Sequence, residues 1–387
     1  MLLGAMCAAA SEMTRENIDG TTRGPRLLLL TPDFPPTHGG IQLVADRLAT
    51  GLSGFETSVV TVDSPGAREL DADRALVVRR AGGAGRRQAV RNAALNALAV
   101  REALRRRPDV TLSMHLVASP AAAAIRRAMG ARTVQYFHAK EIGGKPRLAA
   151  FAVRRADAVI AVSSYTAGLI AATGASPAAM HLIPPGVDLP PDPRPLPAER
   201  PTFVTIARLV DRYKGHDVLV RSLALVRERV PDVEWVVIGD GPLRAGLEDL
   251  ARSLGVADAV SFLGAVSDAE RDAWLRRARL LAMPSRLPGG GLAGEGFGIA
   301  YLEAAAYGKP VVAGNVGGAV DAVVDGETGL LVDPTDPAAV GEAIARLLLD
   351  AGLAERLGQA GARRAPSFAW PLIAGRVEAV LREAIEA

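Results

Sequence analysis

Short apolar runs alternate along the chain with segments whose apolar residues recur at helical spacing. The first run, RLLLLTP at residues 26–32, is followed by a turn rich in proline and glycine, and then by IQLVADRLATGL, which predicts a helix. Unbroken apolar runs are typical of strands that are buried on both faces of a parallel sheet. The alternation therefore predicts an α/β fold with helices on both faces of the sheet.

One segment divides this pattern into two halves. Residues 184–201 contain eight prolines and almost no periodicity, and the alternation restarts after them with TFVTIAR. A chain of 387 residues is also longer than one ordinary domain. We therefore predict two Rossmann-like, doubly wound domains, at residues 25–190 and 191–365, with a cleft between them. Residues 366–387 predict a last helix, and residues 1–24 predict a disordered extension or a misassigned start codon.

The charge pattern bears on the class of partner. The net charge is only +3, and the cations are scattered among acids without interleaved aromatic residues, so we expect no nucleic-acid partner. The basic stretches favour a solvated helix face, and the alternative is weak adhesion to anionic lipid. The residues concerned are Arg86, Arg87, Arg91, Arg101 and Arg105 to Arg107.

The cysteine count and the length of the apolar runs bear on the compartment of the protein. Cys7 is the single cysteine, so no disulfide can form within the chain, which favours a reducing compartment. No apolar run has the length of a membrane span, and the first residues do not resemble a secretory signal. We expect a cytoplasmic protein, with a peripheral position at the inner face of the membrane as the alternative.

Two loops at strand ends have the composition of phosphate-binding sites. Gly39 and Gly40 precede a helix, where free N–H groups attract phosphate, although a tight turn without a ligand would use the same residues. Arg208 follows the strand TFVTIA, and Lys214 follows it before Gly215. Two fixed cations can neutralise a diphosphate as its bond to a sugar breaks, and the alternative is a pair of surface cations.

Carboxylates and a histidine complete the candidate site. Glu295 and Glu303 flank the glycine-rich entrance to a predicted helix, after the glycine cluster PGGGLAG. A carboxylate can accept both hydroxyls of a ribose, and a second one nearby can hold sugar hydroxyls. Two unrelated acids, one of them a charge at a helix N-terminus, are the alternative. His138 closes the predicted strand RTVQYFH and is either structural or a sugar contact.

In combination, these motifs resemble the retaining glycosyltransferases of family 4, which have the GT-B fold. The strongest part is EGFGIAYLE, which matches the family's two glutamates separated by seven residues. IARLVDRYKGHD is similar to its arginine–lysine loop, HGGI to its N-terminal glycine loop and EWVVIGDGP to a strand and turn of its C-terminal domain. The likeness covers the chain from about Arg26 to the end, and SFAWPLIAGRVEAVLREAI resembles a last helix that crosses back onto the N-terminal domain.

The resemblance implies a role for each matched residue. Arg208 and Lys214 would stabilise the donor diphosphate, Glu303 would bind ribose, and Glu295 and His138 would contact the transferred hexose. The implied catalytic set is His138, Arg208, Lys214 and Glu295. The implied donor-binding set adds Gly39, Gly40, Gly241, Gly296, Phe297, Gly298, Ile299 and Glu303. No metal ion or cofactor is implied, and retention without a protein nucleophile, assisted by the leaving phosphate, is the expected chemistry.

Some details depart from the family pattern. Two extra residues separate Arg208 from Lys214, which loosens the assignment of Lys214. GDGPLRAG has a displaced third glycine and is therefore not a dinucleotide fingerprint, which disfavours a nicotinamide-dependent dehydrogenase. Asp71 and Asp73 form a DxD match to the metal signature of another glycosyltransferase fold, but no strand leads into them, so we predict an exposed acidic turn.

The functional prediction is therefore a hexosyltransferase (EC 2.4.1-type) that uses a nucleotide-sugar donor and a hydroxyl acceptor. HGGIQ and EGFGIAYLEA are similar to mannosyltransferases that act on phosphatidylinositol and to bacterial hexosyltransferases that decorate other products. GDP-mannose is the favoured donor, with a UDP-hexose as the alternative. The acceptor is a lipid-linked, saccharide or small-molecule hydroxyl. The competing class is a non-catalytic nucleotide-binding protein on a degenerate GT-B fold.

Overall fold

The structure is a computed structural model that describes residues 24–82, 85, 87–289, 291 and 294–387. The predicted extension at residues 1–24 lies outside this part of the chain, apart from Gly24, as do Cys7, Arg86 and three residues of the glycine cluster (290, 292 and 293). The described residues form two parallel sheets with helices, as the alternation predicts.

The first half of the chain forms a seven-stranded sheet in the order β3-β2-β1-β4-β5-β6-β7. Its strands are β1 Arg26–Leu30, β2 Glu56–Val62, β3 Val77–Ala81, β4 Val110–Ser113, β5 Arg132–Phe137, β6 Ala158–Ala161 and β7 Met180–Leu182. Its helices are α1 Gly40–Gly51, α2 Ala67–Ala72, α3 Gln88–Arg106, α4 Ser119–Met129, α5 Lys140–Gly144, α6 Pro146–Arg155 and α7 Ser164–Ala172.

The second half forms a six-stranded sheet in the order β10-β9-β8-β11-β12-β13. Its strands are β8 Thr202–Ile206, β9 Glu234–Ile238, β10 Val260–Gly264, β11 Leu280–Met283, β12 Val311–Gly314 and β13 Gly329–Val332. The helices are α8 His216–Arg229, α9 Arg244–Ser253, α10 Asp268–Arg277, α11 Ile299–Ala306, α12 Ala319–Ala322, α13 Pro337–Leu349, α14 Ala351–Arg364 and α15 Trp370–Glu386.

The burial of β1 shows why an unbroken apolar run is needed. Leu27 and Leu29 pack into one hydrophobic cluster, and Leu28 and Leu30 pack into a different one. Successive side chains of a strand point to opposite faces, so both faces of this sheet are covered. The chain has the GT-B fold that the motifs imply, with two Rossmann-like sheets of this kind side by side.

Each sheet reverses its strand order once, and these points locate the cleft. In the first sheet β1 lies between β2 and β4, and in the second β8 lies between β9 and β11. Ligands of open α/β sheets bind beyond the carboxyl ends of the strands at such points. The loops that follow β1, β5, β8 and β11 are therefore the ones that matter for function.

The last helix, α15, packs against the first half of the chain. Ile373 and Val377 lie in the same hydrophobic cluster as Tyr136 of β5. The N–H of Val187, in the proline-rich connection, donates to the carbonyl oxygen of Phe368 at 2.8 Å. The chain therefore passes between the two domains twice at neighbouring points.

Two local features differ from the sequence-based expectations. The motif Asp71-Ala72-Asp73 is not simply an exposed turn, because it ends helix α2 and Asp71 forms two hydrogen bonds with the buried Arg80, at 2.7 and 2.9 Å. That ion pair uses the carboxylate that a metal site would need. Strands β3 and β7 also lack the unbroken apolar run by which the other strands are recognised, since β3 carries two arginines and β7 has only three residues.

Candidate active site at the domain cleft

The loop between β11 and α11 places Glu295 beside a lysine from another loop. The Lys214 ammonium donates a hydrogen bond to Glu295 Oε2, and the two side chains are 18% and 11% exposed. Ser285 Oγ lies 3.5 Å from the same carboxylate oxygen. The structure therefore brings together two residues that the sequence motifs single out separately, and it pairs their charges.

Arg208 lies at the rim of the cleft, on the loop that follows β8. The turn after β9 supports this loop, because a Cβ added at Gly241 would lie 2.4 Å from the carbonyl oxygen of Leu209. The Arg208 side chain is exposed and extends toward the first domain, where a Cβ at Gly39 would lie 3.6 Å from Arg208 Cζ. Gly241 thus has a structural reason to be glycine, and its predicted contact with the donor remains a prediction.

Gly296 is the point at which the two domains touch most closely within the site. A Cβ at this residue would lie 2.2 Å from the carbonyl oxygen of His138, so any other residue would force the domains apart. Gly298 has φ 97° and immediately precedes α11, whose first N–H groups have no helical partner. Those N–H groups provide the positive end of a helix at the cleft.

Two neighbours of these glycines have side chains directed elsewhere. Phe297 is 4% exposed and packs in the core, with its ring 6.0 Å from that of Phe368. Ile299 reaches the first domain, where its Cδ1 atom would lie 3.6 Å from a Cβ at Gly40. Phe297 can therefore contact a donor through its backbone, whereas Ile299 helps to seal the domain contact.

Glu303, on α11, has a different partner from Glu295. Arg271 Nη1 lies 3.7 Å from Glu303 Oε1. Burial raises the pKa of Glu303, while the nearby Arg271 guanidinium lowers it and Asp188, Asp268 and Asp272 add to the rise. The carboxylate is thus held with one cation among several acids, an arrangement in which hydroxyl groups of a ligand would be favourable donors.

His138, immediately after β5, is a neutral imidazole at physiological pH. Its Nε2 atom donates to the carbonyl oxygen of Met114 at 3.0 Å, since a carbonyl only accepts. Burial, followed by the neighbouring His115, lowers the pKa of His138 to about 3, although the bond to Met114 opposes this shift. His138 therefore acts through hydrogen bonding and not as a cation.

Three polar contacts join the domains around this site. Lys140 donates to Asp211 at 2.6 Å, and Tyr165 Oη donates to the carbonyl oxygen of Gly291 at 2.8 Å. Asp321 accepts hydrogen bonds from the backbone and hydroxyl of Ser164, at the start of α7. The two halves of the site are therefore in contact.

Sequence motifs did not identify several charged groups at the cleft. Asp33 follows β1 and Glu141 lies in α5, and both belong to the first domain. Their proximity arises only from the sheet order, which places β4 between β1 and β5. Arg271 was also missed, because a helix such as α10 has arginines on its solvent face as a rule. The signal that was available for Glu141 was its position three residues after His138.

Comparison with known proteins identifies the family. The family described as "Glycosyltransferase Family 4" matches residues 38–190, and "Glycosyl transferases group 1" matches residues 191–364. A GDP-mannose-dependent alpha-(1-6)-phosphatidylinositol monomannoside mannosyltransferase of Mycobacterium tuberculosis is 36% identical over 381 residues, which covers 92% of this chain and 98% of that protein. The chain belongs to the family 4 glycosyltransferases.

Other relatives of this glycosyltransferase cover different shares of it. A protein with the same description from Mycolicibacterium smegmatis is 38% identical and covers 87% of this chain and 92% of its own. A D-inositol 3-phosphate glycosyltransferase of Salinispora arenicola is 36% identical but covers only 61% of this chain and 56% of its own. These relatives identify the glycosyltransferase as a hexosyltransferase that uses a nucleotide sugar, and none supports a non-catalytic protein.

Solved structures support the fold. A sucrose-phosphate synthase from Thermosynechococcus elongatus superimposes with a TM-score of 0.81 at 22% identity, covering 94% of this chain and all of that one. Anabaena HepE in complex with UDP and glucose gives a TM-score of 0.79 at 21% identity, covering 93% and 100%. Among the described residues, no helix has both the length and the apolar character needed to cross a membrane.

Proposed function

We propose that this glycosyltransferase transfers mannose from GDP-mannose to a hydroxyl of a mannoside attached to phosphatidylinositol. The observation that carries the proposal is the full-length likeness to mannosyltransferases of that description, at 36 and 38% identity. The inositol 3-phosphate enzyme matches a smaller part of the chain. A UDP-hexose remains the alternative donor.

The transfer would proceed with retention of the anomeric configuration. GDP-mannose carries its mannose in an α linkage, and the relatives are described as forming an alpha-(1-6) product. The bond between the anomeric carbon and the donor phosphate breaks, the acceptor oxygen bonds to the same face of that carbon, and the hydroxyl proton leaves with the diphosphate. This route uses no protein nucleophile, because the leaving diphosphate takes the proton of the acceptor hydroxyl.

Charge stabilisation by protein groups would replace a metal ion. Arg208, Lys214 and the first N–H groups of α11 lie around the loops where the diphosphate would bind. Fixed donors of this kind stabilise negative charge as the leaving group departs. Binding of the donor would separate Lys214 from Glu295, so that the lysine contacts phosphate and the glutamate accepts from sugar hydroxyls.

A lipid-attached acceptor would bring the protein to a membrane surface. Helix α3 has an exposed face with Leu104 at 62% and Val90 at 44% exposure, beside Arg101. Glu102 pairs with Arg105 at 3.3 Å, which instead favours a solvated face for part of the helix. Co-sedimentation with vesicles of phosphatidylinositol and of phosphatidylcholine tests the proposal. Equal binding to both would contradict an attraction between the arginines of α3 and the anionic headgroup.

A donor screen tests the proposed reaction. Purified protein is incubated with GDP-mannose or UDP-glucose and with phosphatidylinositol monomannoside, in the presence of EDTA. We expect GDP release with GDP-mannose and an α-linked product by NMR. Turnover of UDP-glucose alone would assign a different donor, a β-linked product would contradict retention, and complete loss of activity in EDTA would contradict independence from metal.

A further inference from the structure

Two carboxyl groups lie at the cleft on the first domain, which also carries the predicted donor-binding residues Gly39 and Gly40. Asp33 is on the loop after β1, and Glu141 is on α5, after β5. Glu141 is 9% exposed and Asp33 is half-buried. Carboxyl groups are rarely buried unless they are paired with a cation or a hydrogen-bond donor, so their partners decide what they do.

Only one of the two oxygens of Glu141 has a partner within the described residues. Glu141 Oε1 accepts a hydrogen bond from the backbone N–H of His138 at 2.8 Å. Glu141 Oε2 is buried and has no hydrogen-bond partner in that part of the chain. A buried polar atom without a partner costs free energy, and such atoms are uncommon in native proteins. The contact with His138 explains the first oxygen but not the second.

Asp33 is less enclosed than Glu141. Its Oδ1 atom accepts from Gln42 Nε2 at 3.1 Å, and its other oxygen forms no hydrogen bond within the described residues. Burial raises the pKa of Asp33, while the charges of Arg208 and Arg91 lower it. Arg208 belongs to the opposite domain, so Asp33 faces the cleft. The strands that precede Asp33 and Glu141, β1 and β5, both flank β4, and the negative charge of Asp33 adds to the rise in the pKa of Glu141.

The position of these groups relative to the donor loop defines what they can bind. His138 lies between Glu141 and Gly296, because its N–H donates to Glu141 and its carbonyl oxygen lies against Gly296. Apart from Gly39 and Gly40, the predicted donor-binding residues are on the second domain, beyond Gly296. The two carboxyl groups are therefore on the acceptor side of the reacting centre, and hydroxyl groups are the donors that carboxyl oxygens bind there.

We propose that Asp33 and Glu141 bind hydroxyl groups of the acceptor, so that the acceptor's reacting end is an uncharged polyol such as a sugar ring. Two acids at this point repel a phosphate or carboxylate on that end of the molecule. The inference rests on the proposed function, since it names the acceptor side of the same reaction, and it assigns the two residues to binding.

A purely structural role for Glu141 is the competing explanation. Ala139 has φ 91°, which is a strained conformation for a residue with a side chain. The bond from His138 N–H to Glu141 holds that turn, and Glu141 would then matter only for folding. Glutamine keeps an oxygen that can accept from His138, so Glu141→Gln separates the two explanations.

The test compares Glu141→Gln and Asp33→Asn with the wild type. Transfer from GDP-mannose to phosphatidylinositol monomannoside gives the acceptor KM, and calorimetry gives the Kd for GDP. We expect the acceptor KM to rise about 10- to 100-fold in each variant, because a buried site that loses one hydrogen-bond acceptor discriminates strongly against its hydroxyl ligand. The Kd for GDP should stay within about twofold.

Glu102→Gln is the matched control. Glu102 is also a buried glutamate of the first domain, but it pairs with Arg105 and Arg106 of α3, away from the cleft. It should lower the melting temperature and leave the acceptor KM unchanged. If Glu141→Gln and Asp33→Asn both behave as Glu102→Gln does, the inference is wrong. If the wild type itself transfers no mannose while it still binds GDP, the proposed function fails instead.

Discussion

The two sides of the cleft satisfy their charged groups in different ways. On the second domain, Lys214 pairs with Glu295 and Arg271 lies beside Glu303, so each acid has a cation from the same domain. On the first domain, Glu141 has a buried oxygen without a described partner. The charges on the side that would bind a diphosphate are therefore paired within their own domain. The side that would bind a neutral acceptor has a buried carboxyl oxygen, Glu141 Oε2, that accepts no hydrogen bond from the described residues.

This difference bears on how much of each side is visible in the sequence. A diphosphate site needs cations, glycines and a helix N-terminus, and each of these leaves a short motif in the chain. Hydroxyl groups can be bound by carboxyls from loops that are distant in sequence. Four predictions test the contrast, and they follow in order of the expected size of the effect.

Replacing Arg208 with alanine should lower kcat with GDP-mannose by about 100- to 1000-fold, because removal of one fixed donor to a developing anion has an effect of this order. The side chain is exposed, so the melting temperature should change little. Arg212→Ala is the matched control, since Arg212 is an exposed arginine of the same loop. A loss below about tenfold, or an equal loss in both variants, would remove Arg208 from the diphosphate site.

Replacing Glu141 with glutamine should change how stability depends on pH. Burial raises the pKa of Glu141 from 4.5 to about 7, the bond from His138 N–H opposes the rise and Asp33 adds to it. The folded protein thus favours the protonated form, and this stabilisation is complete below the unfolded pKa and disappears as the pH rises through about 7. The wild type should lose on the order of 2 to 3 kcal/mol relative to the variant across that window.

Urea unfolding of both proteins at pH 5 and pH 8 measures this difference. The other titratable side chains are common to both proteins, so their contributions to the pH dependence of stability cancel in the comparison. Parallel stability curves would show that the carboxyl group of Glu141 is solvated or paired, and that the contrast between the two sides of the cleft does not exist at this residue.

Replacing Glu303 with glutamine should weaken GDP binding by about tenfold, because a charged acceptor of ribose hydroxyls becomes a neutral one. The variant also leaves Arg271 without the carboxylate that lies 3.7 Å from it. Glu248→Gln is the control, since Glu248 forms an exposed pair with Arg244 on α9. Calorimetry with GDP distinguishes them, and unchanged affinity would place the ribose elsewhere.

The sequence motifs single out more residues on the second domain's side of the cleft than on the first domain's. Buried strands such as β1 and β8 are unbroken apolar runs, and the glycine positions 296 and 298 are explained by contacts that only a small residue permits. Strand β3 does not have this signature, because its two arginines interrupt the apolar run. Asp33 and Glu141 could not be paired from the sequence, since 107 residues separate them and the sheet order that unites them depends on tertiary structure.

The smallest expected effect concerns the contact that joins the two sides. Tyr165 of the first domain donates to the carbonyl oxygen of Gly291 in the donor loop at 2.8 Å. Tyr165→Phe removes one neutral hydrogen bond, so the donor KM should rise only about two- to fivefold with kcat nearly unchanged. Lys140→Ala removes an ion pair across the same interface, but the lysine side chain is 56% exposed and its effect should vanish in high salt. A salt-insensitive rise in Tyr165→Phe beside a salt-sensitive one in Lys140→Ala would show that both contacts hold the cleft closed over the donor. An unchanged KM in both variants would show that the glycines at positions 40 and 296 alone determine how closely the domains approach.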